Sequence, residues 1–518
     1  MIPLYNTSHI RNLDSFAIKR LRVPGVVLME NASLGIYNSI LEKITGLRTI
    51  GIVCGKGNNG GDGFAVARHF SNAGYGVNVI SLGSINEMTD DCKVNFEILR
   101  ELAVRRKNLN IKYFRSLKDL LVLKRADIII DAILGSGFNG ILKEPYSSIV
   151  KTLNRFNSFK CAIDVPTGLD SDTGFGEMIF NADLTVTLGE NKKGLFINKG
   201  YENCGEVVLK EIGIGTDYFR DIDPRVYLIE PEDVFYNLPG RGKSVNKYSA
   251  GKVLSIAGSY KYPGASSLTS VSALIAGAGS SVLAVPQSLK KMIHKELLEV
   301  VVETYGDEKS KYFNPAALQS LKQKIEWADV VALGPGLDRS SETTEAVRKF
   351  IVDKKYKYAV LDADALFALD NDFLKKNNLK NCLLTPHLGE FANILNIDTR
   401  EIEKDLLSFG REFVKNVKCT LVLKGAPTII FNPSGEAFVN SAGNSGMAKF
   451  GSGDVLTGIL AGLLAQNKNI EKTAIAGVYL HSLSADLLLN QKPIANYLAS
   501  DIMNNYPATI KFLKDSIV

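Results

Sequence analysis

The stretch Thr49-Ile-Gly-Ile-Val-Cys-Gly-Lys-Gly-Asn-Asn-Gly-Gly-Asp-Gly63 decides the fold. Its first six residues form a mostly apolar run without polar alternation, the pattern of a strand buried on both faces of a parallel sheet. Glycines then crowd the turn, and an amphipathic pattern over 63–73 follows. A strand that turns through glycines into a helix exposes backbone N–H groups at the helix start, which suits a phosphate. The loop is neither GxGxxG nor GxxxxGK[ST], so a purely structural tight turn is the rival reading on composition alone.

Outward from this stretch the same alternation repeats. Further strands are predicted at 77–81, 128–131, 161–165, 184–188 and 207–209, with helical patterns between several of them. Such alternation means βαβ units and a mainly parallel sheet that binds ligands at the carboxyl ends of its strands. The pattern lapses over 212–245, where Pro224, Pro231 and Pro239 fall among glycines and mixed charges. It restarts with strands predicted at 253–256, 282–285, 330–333, 359–362, 382–385 and 420–423. The chain of 518 residues therefore reads as two α/β domains, 1–225 and 226–518.

Composition excludes several classes. With 45% hydrophobic and 22% charged residues the chain is neither disordered, collagen-like nor a coiled coil. A net charge of +6 gives no argument for nucleic acid. The basic runs Arg105-Arg106-Lys107 and Lys192-Lys193 are short and read as solvated surface. None of the six cysteines is paired at CxxC spacing, so buried free thiols in a reducing cytoplasm are expected rather than a zinc site. No signal peptide is expected. Residues 262–289 carry no charge and are long enough to span a membrane. Their Ser and Gly content, with Pro263 and Pro286, reads instead as a buried helix followed by a strand at 281–285, and no membrane partner is expected. Pro239-Gly-Arg-Gly-Lys-Ser244 imitates the end of a P-loop but lacks the first glycine, and reads as linker.

Two strands of the first half run into polar signatures, Ile130-Asp131-Ala-Ile-Leu-Gly-Ser-Gly-Phe-Asn-Gly140 and Ile163-Asp164-Val-Pro-Thr-Gly-Leu-Asp170. A carboxylate at the end of an apolar strand is costly unless paired, bound to a cation or open to a cleft. Parallel strand ends line one crevice, so Asp131, Asp164 and Thr167 can converge on the glycine loop. Oxygen donors from Asn, Asp and Thr suit a hard cation. The alternative is that Asp131 and Asp164 only cap the turns after them.

Together with Leu28-Met-Glu-Asn-Ala32, these motifs resemble the NAD(P)H-hydrate epimerases over about the first 215 residues. The resemblance implies a Rossmann-like three-layer sandwich. It implies a potassium ion on Asn59, Asp131 and Thr167, and a catalytic Asp164 at the reacting ring. It puts Asn58, Asn59, Gly60, Gly61 and Asp62, with Gly135, Ser136, Gly137, Phe138, Asn139, Gly140 and Ile141, against the hydrate and its phosphates. The family's loop usually reads Gly-Thr-Gly where this chain has Gly135-Ser-Gly137.

The second half contains Asn444-Ser-Gly-Met-Ala-Lys-Phe-Gly-Ser-Gly-Asp-Val-Leu-Thr-Gly458. A glycine-rich turn feeding an apolar helix presents N–H groups where negative charge develops. Asp454, in the first turn, is placed to take a proton from a hydroxyl attacking a terminal phosphoryl group, or simply to cap the helix. The arrangement resembles ribokinase-like sugar and vitamin kinases. Gly251-Lys-Val-Leu-Ser-Ile-Ala-Gly-Ser259, Pro263-Gly-Ala265, Gly334-Pro-Gly336, Asp362-Ala-Asp-Ala365 and Thr385-Pro-His-Leu-Gly-Glu390 narrow it. From about residue 235 onward the chain resembles the ADP/ATP-dependent NAD(P)H-hydrate dehydratases. That resemblance implies Ala265, Gly336, His387 and catalytic Asp454 on the hydrate. Lys424, Gly425, Ala426, Pro427, Thr428 and Gly453 would then lie on the nucleotide, with Mg²⁺ bridging its phosphates. Ser445 stands where the family has Pro, Lys449-Phe450 where it has Thr-Gly, and Asp338 where it has Gly.

The expected function is repair of hydrated NADH and NADPH. The first domain interconverts the R and S hydrates, and the second dehydrates the S form with ATP or ADP. Homo-oligomeric assembly is expected. A vitamin-type kinase, and a first domain reduced to a binding scaffold, are the other readings.

Overall fold

In the computed structural model a two-residue strand, β1 (Ile2–Pro3), precedes β2 (Thr49–Cys54), the strand that the opening stretch predicts. The structure describes residues 1–46, 48–215, 217–220, 222–293 and 297–517. The chain divides into Pro3–Val226 and a second unit of Met1–Ile2 with Tyr227–Val518.

In the first unit β2 joins β3 (Gly76–Ser81), β4 (Leu109–Tyr113), β5 (Ile128–Ala132), β6 (Phe159–Ile163), β7 (Leu184–Leu188) and β8 (Glu206–Lys210). All pairings are parallel, in the order β4-β3-β2-β5-β6-β7-β8. Ile50, Ile52 and Cys54 of β2 face one core with Phe64, Phe70 and Phe96, while Val53 faces the other with Leu120 and Ile149. A strand apolar on both sides demands helices on both sides, which makes three layers. The order reverses between β2 and β5, the place where an open parallel sheet forms its crevice.

The second sheet contains β9 (Val226–Leu228), β10 (Lys252–Ile256), β11 (Ser280–Pro286), β12 (Val301–Tyr305), β13 (Val330–Leu333), β14 (Tyr358–Leu361), β15 (Cys382–Leu384), β16 (Thr420–Leu423), β17 (Thr428–Phe431) and β18 (Ala437–Asn440). The order is β1-β9-β18-β17-β16-β15-β14-β13-β10-β11-β12. The strands from β16 to β12 are parallel, whereas β16-β17-β18 form an antiparallel extension. Here the reversal lies between β10 and β13.

The Pro263–Ile275 helix and β11 account for the uncharged stretch, and no described helix is long and apolar enough to cross a membrane. All six cysteines are buried and free. Residues 239–244, the P-loop imitation, form a loop that is exposed from Gly240 to Ser244.

The Ser452–Asn467 helix, apolar around most of its circumference, packs on the Pro263–Ile275 helix. A Cβ at Gly458 would lie 2.2 Å from the Thr269 carbonyl oxygen, and one at Gly462 2.4 Å from that of Ala273. Only glycine allows so close an approach. Gly458→Val is expected to cost about 1–3 kcal/mol through overpacking. Gly242→Val in the exposed loop should be neutral, since nothing lies within 4 Å there. Thermal unfolding of the two variants checks this.

Candidate active sites

In the first unit the crevice at the β2/β5 reversal is a cavity of about 700 Å³. Its wall comes from the carboxyl ends of β2 (Asn58, Asn59, Asp62), β5 (Gly135, Ser136, Gly137, Phe138, Asn139), β6 (Asp164) and β7 (Leu188, Lys192). Gly60 and Gly61 are buried, where a Cβ would lie 2.1 Å from the Gly55 carbonyl oxygen and 2.6 Å from the Met29 sulfur. Gly140 and Ile141 lie off the wall, and Ile141 is exposed.

Asp164 adopts a left-handed backbone, φ +66°, directly after β6. That conformation costs about 1–3 kcal/mol in a non-glycine residue and persists only where its surroundings enforce it. Its carboxylate accepts from Lys192 Nζ (2.5 Å), Ser136 N–H (3.2 Å) and Leu188 N–H (3.4 Å). Lys192 also donates to Thr187 Oγ1 (3.0 Å) and the Leu188 carbonyl (2.5 Å). Burial alone would push Asp164 up, but the Lys192 charge and these hydrogen bonds hold it below its ordinary value. The surface reading of Lys192 is thus corrected: its side chain is 1% exposed and neutralises Asp164.

Asp131 is fully buried and does cap its turn, accepting from Ile133 N–H (3.1 Å). It also accepts from Thr167 N–H (2.8 Å) and Thr167 Oγ1 (2.7 Å). Burial raises it to about 6 against the pull of these three bonds. Three bonds leave a carboxylate with further lone-pair capacity. The Asn59 side-chain oxygen and nitrogen are both buried without a hydrogen-bond partner. An orphaned amide oxygen and an incompletely compensated carboxylate are the donors a hard monovalent cation uses, so these residues fit such an ion. No cluster of three His, Cys, Asp or Glu able to hold a metal occurs among the described residues.

In the second unit Asp362, 2% exposed at the end of β14, is a hub. It accepts from Lys424 Nζ (2.7 Å), Thr385 Oγ1 (2.8 Å) and Thr457 Oγ1 (2.8 Å), which follow β16, follow β15 and sit on the Ser452–Asn467 helix. A Cβ on Gly453 would lie 3.4 Å from Lys424 Nζ and 3.7 Å from Asp362 Oδ2. The start of that helix therefore adjoins the hub. Burial, then the Asp362 charge, raise Asp454 to about 6, while Lys424 pulls it down. Burial works against the Lys424 ammonium, but Asp362 and Glu390 outweigh it and hold the group charged. Gly425 and Ala426 are exposed, Pro427 is buried, and Thr428 Oγ1 donates to the Gly425 carbonyl (3.3 Å). A Cβ at Gly336 would lie 3.0 Å from that of Ala265, so these two are neighbours. His387 caps the Leu388–Leu395 helix, its Nδ1 accepting from Glu390 N–H (3.1 Å), with 59% of the side chain exposed.

A family model described as NAD(P)H-hydrate dehydratase matches residues 253–508, and one described as YjeF-related protein N-terminus matches residues 25–194. The bifunctional NAD(P)H-hydrate repair enzyme Nnr of Moorella thermoacetica is 34% identical, covering 99% of this chain and 98% of its own. That of Archaeoglobus fulgidus is 36% identical over 96% of each chain. The chain belongs to the bifunctional NAD(P)H-hydrate repair enzymes. Among solved structures, an ADP/ATP-dependent NAD(P)H-hydrate dehydratase from Bacillus subtilis, co-crystallized with ATP/Mg²⁺, is 26% identical. It covers 56% of this chain and 99% of that one, with a TM-score of 0.48.

Within this repair-enzyme family the chain's own departures have structural counterparts. Asp338, where the resemblance has Gly, sits at φ +78°, a conformation glycine adopts without strain. Its N–H donates to Asp364 (2.9 Å), which helps hold the turn. Lys449 ties the loop before Gly451 to the carbonyls of Ala495 (2.7 Å) and Tyr497 (2.6 Å), and leaves Phe450 fully exposed. The sequence reading missed Lys192, Asp362, Thr385 and Thr457 as parts of these sites. For Asp362 the signal was present: it is a carboxylate directly after an apolar strand, the same feature that singled out Asp131 and Asp164.

Proposed function

We propose that the first unit interconverts the R and S hydrates of NADH and NADPH and that the second dehydrates the S hydrate with ATP or ADP. The observation that carries this is one shared by both crevices: a lysine neutralises a buried strand-end aspartate, Lys192 on Asp164 and Lys424 on Asp362. In the first crevice the amides of 135–139 and the Asn58–Asn72 helix start receive the diphosphate. Potassium would be held by Asn59, Asp131 and Thr167 and would supply a fixed positive charge there. Asp164, kept ionised, moves a proton as the carbinol carbon loses and regains its configuration.

In the second crevice Asp454 takes the proton of the substrate hydroxyl as it attacks the terminal phosphoryl group. The amides opening the Ser452–Asn467 helix stabilise the transferring charge, and Lys424, held by Asp362, faces the phosphates. Mg²⁺ bound with the nucleotide would supply positive charge to the phosphates beside Lys424 and the start of the Ser452–Asn467 helix. Phosphate then leaves as the ring nitrogen lone pair forms a C=N bond, and loss of a proton from the adjacent ring carbon returns that pair to nitrogen and gives the dihydropyridine. Ala265, Gly336 and His387 border the hydrate, and residues 424–428 the nucleotide. The setting proposed is a reducing cytoplasm, in keeping with six free buried thiols.

The test is recovery of reduced-nicotinamide absorbance from a mixed R/S hydrate preparation with Mg²⁺ and ATP or ADP. Complete recovery, faster than spontaneous epimerisation, is expected. Recovery that stops at the S fraction would leave the first unit a scaffold. Phosphate retained on an organic product would make the second unit a kinase.

A further inference from the structure

The cavity of the first unit holds more carboxylates than its proposed chemistry has used. Asp14, on the Thr7–Lys19 helix, lines it together with Asp62, Asp91 and Asp164. Two ammonium groups share the wall, Lys56 and the buried Lys192. Asp14 is half-buried and accepts no hydrogen bond among the described residues. A carboxylate left unpaired at a cavity wall is a standing cost unless it serves a ligand. Ile10 and Ile18 of the same helix flank it on that wall, so the helix presents one acid between apolar side chains.

We propose that Asp14 is a second catalytic residue of the epimerisation, donating a proton to the departing hydroxyl while Asp164 accepts one from the water that replaces it; this rests on the epimerase reading above. The steps balance. Asp14 protonates the carbinol oxygen, the C–O bond breaks, the ring nitrogen lone pair forms a C=N bond, and water leaves. Water then adds to the other face, forming a new C–O bond. Its proton passes to Asp164, and the C=N pair returns to nitrogen. One proton is given and one taken, and exchange with solvent restores both acids.

The environments separate the roles. Burial raises Asp14 to about 6, with the Lys192 charge pulling down and the Asp164 charge pushing up. Asp164, directly on Lys192, is held low. Two carboxyls driven apart in this way make an acid and a base. Asp62 also faces Asp14, and burial followed by the charges of Asp164, Asp14 and Asp91 raises it well above its ordinary value.

The experiment is Asp14→Asn in the full chain, with epimerisation followed from R hydrate to S hydrate over pH. The acid works protonated, so wild-type kcat declines as pH rises through the Asp14 titration. The variant should lose about 10²-fold in kcat with little change in KM, and should lose that decline. Asp14→Glu should restore both in part, which guards against a merely misfolded variant. A wild-type kcat and pH profile in Asp14→Asn would overturn the inference, as would a raised KM with kcat intact. A wild-type chain without epimerisation would overturn the epimerase reading and this inference together.

Discussion

Asp454→Asn should slow dehydration of the S hydrate by about 10²–10⁴-fold, the usual worth of a positioned general base. Asparagine keeps the shape of aspartate but accepts no proton at neutral pH. Wild-type Asp454 titrates near 6 because burial and the Asp362 charge disfavour its ionised form. A base works deprotonated, so the wild-type rate should climb with pH and level off above about 6. The variant should be flat across that range. Single-turnover formation of NADH from S hydrate with ATP and Mg²⁺ measures both effects. Epimerisation by the same protein should be unaffected. A variant that kept the wild-type rate and its acid limb would take the base role away from Asp454.

Asp164→Asn should slow epimerisation by a comparable about 10²–10⁴-fold and should also weaken the first unit. The second effect follows from Lys192. Its ammonium is buried and donates to Asp164, to the Thr187 hydroxyl and to the Leu188 carbonyl. Removing the only full negative charge among these leaves an uncompensated buried cation, worth about 3–5 kcal/mol. The paired change Asp164→Asn with Lys192→Met removes the stranded charge, so it should recover most of the stability and none of the activity. Denaturant unfolding and the epimer assay on both variants separate the two roles. Equal stability of the single and double variants would show that the ion pair does not hold the crevice together.

How much of this was legible in the sequence follows from where each residue sits. Strands buried on both faces advertise themselves as mostly apolar runs, and β2, β13 and β16 fall on the residues expected for them, as does the alternating Leu-Thr-Val-Thr-Leu of β7. β6 comes two residues early, because the backbone turns into the left-handed region at Asp164. The edge strands β4 and β12 carry polar and charged residues on half-exposed faces and give little signal. The hairpin β17-β18 is short, and nothing in its pattern separates antiparallel from parallel pairing. At the sites, glycine turns and strand-end carboxylates were readable because their chemistry is local. Thr385 and Thr457 were not: a threonine becomes part of a site only when distant strands bring it to Asp362. Lys192 was misread because two adjacent lysines look like solvent-facing surface until the fold buries one of them.

The glycine contacts of the Ser452–Asn467 helix act at a distance. Gly458 and Gly462, about one turn apart, each rest against a carbonyl of the Pro263–Ile275 helix. They work as a pair of detents: an axial slide smaller than the contact spacing drives backbone into backbone, so the helix has one preferred phase. Asp454 rides on the same rod, four residues before the first detent. Its height above the crevice is therefore gauged by main-chain atoms rather than by the side chains around it. Substitutions at 458 or 462, which touch the Pro263–Ile275 helix, should then read out as a changed dehydration rate even where the protein still folds.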